Sequence, residues 1–438
     1  MDAAIVLPAD RPQTGNCAWT GASALAVTNE QLRHEAASLR DAVQAGNPSA
    51  LLRALDAALK SRCLERTHPV ALETRGDLDA SLTFASAFAT TLEALPLHPP
   101  DAVTSLRQQC LIATARQLAG RSALMLSGGG ALGNHHLGVL RALLSEGLLP
   151  DVISGASAGA LFAAIVGTHT DEELGRLFSG GAPAFASPFG PQKLDDLRLR
   201  QLIDGLVPDV TFAEAYRGNG RAINIVVSAR RGPDQGLVLN AKATPDVLLR
   251  GAVHASCAVP FLFEPVALER RNSAGQVGPF RSGERWIDGS IFADLPILAL
   301  ADVYGVDRSI ASMVNPLVLP FVTHPHEQGA MQHWLARLGI DAFKLAAGQG
   351  FEMVIPLVEQ WPAASLTLET WHRVVRQSYR ADVMITPRQR LHNPQTLTDL
   401  VGAEALRSYV EEGERTTLAR IDIIRAAISI EQALHRFD

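Results

Sequence analysis

Asp151-Val152-Ile153-Ser154-Gly155-Ala156-Ser157-Ala158-Gly159-Ala160-Leu161-Phe162-Ala163-Ala164-Ile165-Val166 passes from a short apolar run, through a turn of small residues, into a longer apolar run. A run of four bounded by glycine suits a buried strand, and the longer one that follows suits a buried helix. The turn between them reads G-x-S-x-G over Gly155, Ser157 and Gly159. A serine on a strained strand-to-helix turn presents its hydroxyl at the edge of a sheet, and small flanking residues let neighbouring backbone approach it. At the helix N-terminus, free N–H groups and the helix dipole also favour developing negative charge. Ser157 is thus a candidate nucleophile; the alternative is a tight turn in which it only caps the helix.

A second glycine turn lies one unit upstream. Ala123-Leu124-Met125-Leu126 predicts a strand, Ser127-Gly128-Gly129-Gly130-Ala131-Leu132-Gly133 a loop, and a helix follows near 136–146. Consecutive glycines can turn several N–H groups into one concavity, the arrangement an oxyanion requires. Gly128, Gly129 and Gly130, with Ala158 at the start of the next helix, are the candidate donors. Gly128, Gly130 and Gly133 also satisfy the dinucleotide fingerprint G-x-G-x-x-G, but that motif wants an acid at the end of the next strand, which here ends in Ser154-Gly155. A third element is Arg285-Trp286-Ile287-Asp288-Gly289-Ser290, an acid in a glycine-containing turn after an aromatic and aliphatic stretch. Alone it is a common turn.

Outward from these motifs, short apolar runs closed by glycine alternate with helical stretches, the pattern of βαβ units and a mostly parallel sheet. Strands are predicted near 123–127, 151–154, 222–228, 263–268 and 308–314, and helices near 136–146, 158–166, 245–257 and 296–304. Residues 1–28 show no sustained period and are expected to form a flexible arm. Residues 29–119 read as a helical N-terminal domain, with Leu51, Leu52, Leu55, Ala58, Leu59 and Cys63 recurring at three- and four-residue steps. An α/β core is expected over 120–320 and a mainly helical region over 321–438, closing on an amphipathic stretch at 414–437. Ile423, Ala427, Ile430, Leu434 and Phe437 share one face of that stretch, which suits core packing better than a membrane interface given its acidic neighbours.

Composition sets limits on partners. The 438 residues are 47% hydrophobic and 19% charged with a formal net charge of −6, an ordinary globular balance with no overall basic field for nucleic acid. The four cysteines, Cys17, Cys63, Cys110 and Cys257, show no metal-site spacing, so a reducing compartment and no metal are expected. The N-terminus lacks a signal-peptide pattern, and the longest uncharged run, 152–170, carries too many small polar residues for a membrane span. A cytoplasmic protein is expected, and oligomeric state is not readable.

Taken together, the three motifs resemble the patatin-like phospholipase family: Gly128–Gly133 as its oxyanion loop, Gly155–Gly159 as its nucleophile elbow and Asp288-Gly289 as its second catalytic element. Other stretches are similar to the branch that includes eukaryotic triacylglycerol lipases of stored oil, which also has a helical N-terminal module. They are His136-Leu137-Gly138-Val139, Leu148-Leu149-Pro150, Ala255-Ser256-Cys257-Ala258-Val259-Pro260, Trp286–Asp294 and Asn315-Pro316. The resemblance implies a three-layer αβα core with a mostly parallel central sheet, and a Ser157/Asp288 dyad that needs neither histidine nor cofactor. The implied activity is hydrolysis of acylglycerol or phospholipid esters through an acyl-enzyme, at a membrane or lipid-droplet surface. Two positions depart from the pattern. Leu132 stands where many members carry a cation that could face a phosphate headgroup, which tilts the expectation towards neutral glycerides. Phe261 stands where a small residue is expected.

Two rivals stay open from sequence. One is a Ser-His-Asp esterase using His324 or His326 on an α/β-hydrolase fold; the other is a lipid-binding scaffold that keeps the fold without catalysis. His135 and His136, near the glycine loop, are expected to pack or cap rather than react. The stretch 178–190, with Phe178, Phe185 and Phe189, is expected to offer exposed aromatics to acyl chains.

Overall fold

The computed structural model describes residues 5–6, 27–69, 72, 75–179, 192–229, 236–260, 262–319, 322, 379, 381–389 and 399–437. Among the described residues, four α-helices precede the second strand: α1 (Asn29–Ala45), α2 (Pro48–Lys60), α3 (Arg75–Glu93) and α4 (Ala102–Ala119). Their starts follow local chemistry. Thr28, Asn47 and Asp101 each accept a hydrogen bond from a first-turn N–H, and Pro48 occupies the position where its missing donor is not needed.

The central sheet contains β1 (Ile5–Val6), β2 (Arg121–Leu126), β3 (Val152–Gly155), β5 (Ala222–Ala229), β6 (Gly236–Asn240), β9 (Trp286–Asp288), β10 (Val306–Ser312) and β11 (Val383–Ile385). Two small ribbons complete the strands: β4 (Gln192–Lys193) with β12 (Asp399–Leu400), and β7 (Glu269–Arg271) with β8 (Val277–Pro279). The order is β1-β6-β5-β3-β2-β10-β11, and the run from β5 to β11 is parallel. The antiparallel pairs are β1 with β6, β6 with β5, and β9 with β5. Residues 5–6, within the stretch expected as an arm, therefore add an edge strand.

Side-chain alternation along β2 sorts the layers. Leu124 and Leu126 enter the core shared with α5 (Asn134–Ser145), α6 (Ala158–Thr168) and α10 (Leu249–Ser256). Ala123 and Met125 face the opposite side, where α11 (Ile297–Tyr304) packs through Ile297, Leu300 and Tyr304. This is the expected αβα arrangement. Three further helices, α7 (Asp171–Ser179), α8 (Asp196–Leu206) and α9 (Phe212–Asn219), link the strands.

The chain closes on α12 (Ala403–Leu418) and α13 (Ile421–His435), two helices where a single stretch was expected; the break falls at Ala419-Arg420. Ile423, Ile424 and Ile428 of α13 join the core beneath the sheet, while Ile430 and Leu434 join the cluster of α1 to α4. The C-terminal stretch is thus buried packing between the two helical layers. The strand predicted at 263–268 is reduced to one bridge, Val266 with Trp286, because the N–H groups of Leu262 and Phe263 bond back to Val259 O instead of to a neighbouring strand.

Candidate active site

Ser157 follows the end of β3 and has φ 52° and ψ −126°, a left-handed conformation that side chains rarely adopt. The strain is held by close backbone packing. A methyl group at Gly155 would strike Gly159 O, and one at Gly159 would strike Leu126 O, so only glycine lets α6 start this close to β2 and β3.

Asp288 reaches the same place through strand pairing. One edge of β5 is taken by β6 over Asn224–Ser228, and the other is taken by β3 only as far as Ile225. The chain of β3 then turns away at Ser157, and β9 fills the vacated edge, with Asp288 opposite Val227. Gly289 sits so tightly on Val226 O that a side chain there would collide with it. Asp288 Oδ1 accepts the Ser290 N–H at 2.8 Å. The Ser157 hydroxyl is near enough to favour the ionised carboxyl, yet Oδ2 has no partner within normal hydrogen-bond limits. Burial dominates the carboxyl's titration and pushes its pKa up to about 6, against the opposing influence of the nearby Ser157 hydroxyl and of Ser290.

The glycine loop lies against this pair. A methyl at Gly128 would be 2.9 Å from Ser290 Cβ and 3.2 Å from Ser157 Cβ, and one at Gly133 would be 2.5 Å from Ala158 Cβ. The N–H of Gly128, expected as an oxyanion donor, is instead given to Asp294 Oδ1 at 2.6 Å. Gly129 caps the single turn Gly130–Gly133, Gly130 is its first residue, and Ala158 is the first residue of α6, so their N–H groups have no intrahelical acceptor. All three residues border the cleft. Asp294 is a buried acid that sequence reading did not single out. Its Oδ2 accepts from Asn315 Nδ2 at 2.9 Å, and burial pushes its pKa to about 7. A lone acid inside the apolar run 291–297 is the signal that could have found it.

The cleft has a volume of about 360 Å³ and is mainly apolar, with Leu161, Phe162, Leu199, Leu202, Leu262 and Phe263 around Ser157 and Asp288. The leucines of α8 replace the expected aromatics. Phe178 is buried within α7, while Phe185 and Phe189 fall outside the described residues. Leu132 is also buried, in the cluster on the α11 side of the sheet, so it does not border the cleft and gives no direct reading of headgroup charge. His136 is fully buried: Nε2 bonds to the Ser127 carbonyl at 2.9 Å, so it carries the proton, and Nδ1 accepts from Ser312 Oγ at 2.7 Å. Burial lowers its pKa to about 4 and that of His135 to about 3, so both are neutral packing groups at pH 7. His324, His326 and Phe261 fall outside the described residues.

Residues 124–301, which span both glycine turns and Asp288, match the family model described as patatin-like phospholipase. Triacylglycerol lipase ptl3 of Schizosaccharomyces pombe is 30% identical over 334 residues, covering 71% of this chain and 68% of that protein. The chain belongs to the patatin-like phospholipase family. Triacylglycerol lipase ptl2 of the same yeast is 30% identical over 72% of this patatin-like protein and 54% of its own length. Triacylglycerol lipase SDP1L of Arabidopsis thaliana is 31% identical over 73% and 42% respectively. The patatin-like protein thus spans about half or less of the length of these last two relatives. The glycine loop lies within the region that matches the family model.

Proposed function

We propose that this protein is a serine lipid acyl hydrolase that cleaves carboxylic esters of acylglycerols, with Ser157 as nucleophile and Asp288 as base. The observation that carries the reading is the strained Ser157 beside a buried carboxyl, at the floor of an apolar cleft. Similarity to three proteins named triacylglycerol lipases supports the substrate class.

Ser157 Oγ attacks the ester carbonyl while its proton passes to Asp288, and the carbonyl oxygen takes up the negative charge. The N–H groups of Gly129, Gly130 and Ala158 stabilise that oxyanion, each donor being typically worth about 10²–10³ in turnover. Collapse expels the alcohol, which takes the proton from Asp288 and leaves an acyl-enzyme. Water then attacks the acyl carbonyl, giving its proton to the same carboxylate; Ser157 recovers it as the fatty acid leaves. A raised pKa makes Asp288 a better base than an exposed carboxylate, and no cofactor enters the sequence.

An insoluble ester is met at its own surface. Leu262 and Leu317 border the cleft yet are 56% and 38% exposed, giving it an apolar mouth suited to a membrane or lipid droplet. Among the described residues no helix is long and apolar enough to cross a membrane.

The test is labelling with a fluorophosphonate probe, mapping of the modified peptide by mass spectrometry, and assay of fatty acid release from triolein and phosphatidylcholine emulsions. Labelling at Ser157 that falls at least about 10³-fold in Asp288→Asn, with triolein hydrolysed, is the expected result. A folded protein that is not labelled and releases no fatty acid would leave a lipid-binding role.

A further inference from the structure

The dyad chemistry gives no task to Ala255-Ser256-Cys257-Ala258-Val259-Pro260, although the segment lies beside both reacting residues. It begins at the end of α10, with Cys257 as the capping residue. Ser157 N–H donates to Ser256 Oγ at 3.0 Å, and the Ser256 hydroxyl donates to Val226 O at 2.7 Å. A serine hydroxyl has one proton, so giving it to Val226 O leaves the oxygen free to accept from Ser157. The Cys257 thiol donates to Ser157 O at 3.2 Å, and burial raises its pKa so that the thiol proton is retained. The next residue completes the set: Asp288 N–H donates to Ala258 O at 3.0 Å. Ser256, Cys257, Ala258, Ser157 and Asp288 are all buried.

We propose that Ser256-Cys257-Ala258 is the positioning brace of the dyad, fixing the backbones of Ser157 and Asp288 on one three-residue frame. The inference rests on the reading of Ser157 and Asp288 as nucleophile and base. A left-handed serine persists only where its surroundings over-determine it, and here both its N–H and its carbonyl are held from outside its own turn. Asp288 Oδ2 has no hydrogen-bond partner, Ser157 included, so the spacing of the two side chains is set by the elements that carry them. Those elements are far apart in sequence, and the brace is where they meet. Val226 extends the frame into the sheet, because its carbonyl takes the Ser256 proton and also abuts Gly289. Ser256, Cys257 and Ala258 are positioning residues, since the bonds they supply go to backbone atoms and not to the reacting ones.

The experiment compares the full chain with Ser256→Ala, Cys257→Ala and Cys257→Ser. It reads kcat and KM on a soluble p-nitrophenyl ester and the second-order rate of fluorophosphonate labelling at Ser157. Ser256→Ala leaves the Ser157 N–H and Val226 O without their partner, and is expected to lower kcat and the labelling rate by about tenfold or more. KM should stay within about twofold, because the apolar cleft wall is untouched. Cys257→Ala should lose several-fold in both rates, and Cys257→Ser, which keeps a donor, should recover part of that loss. Wild-type rates in both alanine variants, or a serine variant no better than alanine at 257, would overturn the brace. Should Ser256→Ala fail to fold, the two Cys257 variants decide alone. If the wild-type chain is not labelled at Ser157, or Asp288→Asn labels as fast as wild type, the dyad reading itself fails, which separates the two outcomes.

Discussion

Asp288 meets two opposing demands. As a base it must be ionised, yet burial favours its neutral form and raises its pKa from 3.8 to about 6. The activity should therefore fall on the acid side with an apparent pKa near 6, measured as kcat/KM on a soluble ester between pH 4 and 8. The same shift acts on stability with a definite sign. The folded state holds the Asp288 proton more tightly than the unfolded chain, so this group's contribution falls as pH rises from about 4 to about 6, and the loss is complete above that window. Asp288→Asn removes the charge and keeps an oxygen for the Ser290 N–H. It should abolish hydrolysis yet stabilise the protein at pH 8 by up to roughly 3 kcal/mol, with little gain at pH 4, in urea denaturation at the two pH values. An equal gain at both would remove the charge as its cause. The turns that carry Ser157 and the glycines were legible in sequence because each is a local pattern with a fixed conformational need, whereas the Asp288 turn gained weight only beside them. Asp294 and Ser256 were not legible, because what they hold, Gly128 N–H and Ser157 N–H, lies 166 and 99 residues away.

Elements were legible to the extent that glycine punctuates them. The ends of β2 and β3 fall within two residues of expectation, since each is closed by a turn that only glycine permits. The strand β6 was not foreseen: its five buried residues are too short a run to show a period. The pairing of β9 with β5 was equally hidden, because it depends on where β3 leaves the sheet and not on the sequence of β9. The first turn of α6 offers a test of packing at this scale. A methyl at Gly159 would meet Leu126 O and lie 2.8 Å from Ser127 O, both backbone atoms that cannot step aside singly. Gly159→Ala should destabilise the protein by about 1–3 kcal/mol and slow the labelling of Ser157, as α6 is pushed off β2. Gly175→Ala, within α7 and with open space around the added methyl, should instead stabilise by about 0.5–1 kcal/mol. Urea midpoints measured side by side decide the matter, and matching shifts of the two variants would refute it.

Across the whole molecule, the parts expected as separate regions share one buried ionic centre at the edge of the sheet opposite the dyad. Arg308 of β10 is 2% exposed; Nη1 donates to Ala427 O of α13, and Nη2 donates at 3.2 Å to Thr67 Oγ1 in the single turn Cys63–Thr67. Asp307, Glu431 and Asp382 surround it electrostatically, and each carboxylate also accepts a backbone N–H from a strand: Asp307 from Arg121, Glu431 from Ser122 and Asp382 from Ser309. His68 adds a bond to Asp307 O at 2.9 Å. One guanidinium thus joins the N-terminal helices, the sheet and the last helix, and α13 supplies apolar side chains to the clusters on both sides. Removing the cation takes its field from the buried Glu431 and the half-buried Asp307 and Asp382, and leaves Ala427 O and Thr67 Oγ1 without its hydrogen bonds, which destabilises the fold. Arg308→Met, close in volume, should therefore lower the urea midpoint of the full chain while keeping a single transition, with loss of helical signal and of Trp286 burial coinciding. The helices would melt as one unit with the core because α13 cannot leave either cluster without breaking the other. A variant in which the helical signal falls first while Ser157 still reacts with the fluorophosphonate would show instead that the N-terminal helices are an independent domain held only by chain connectivity.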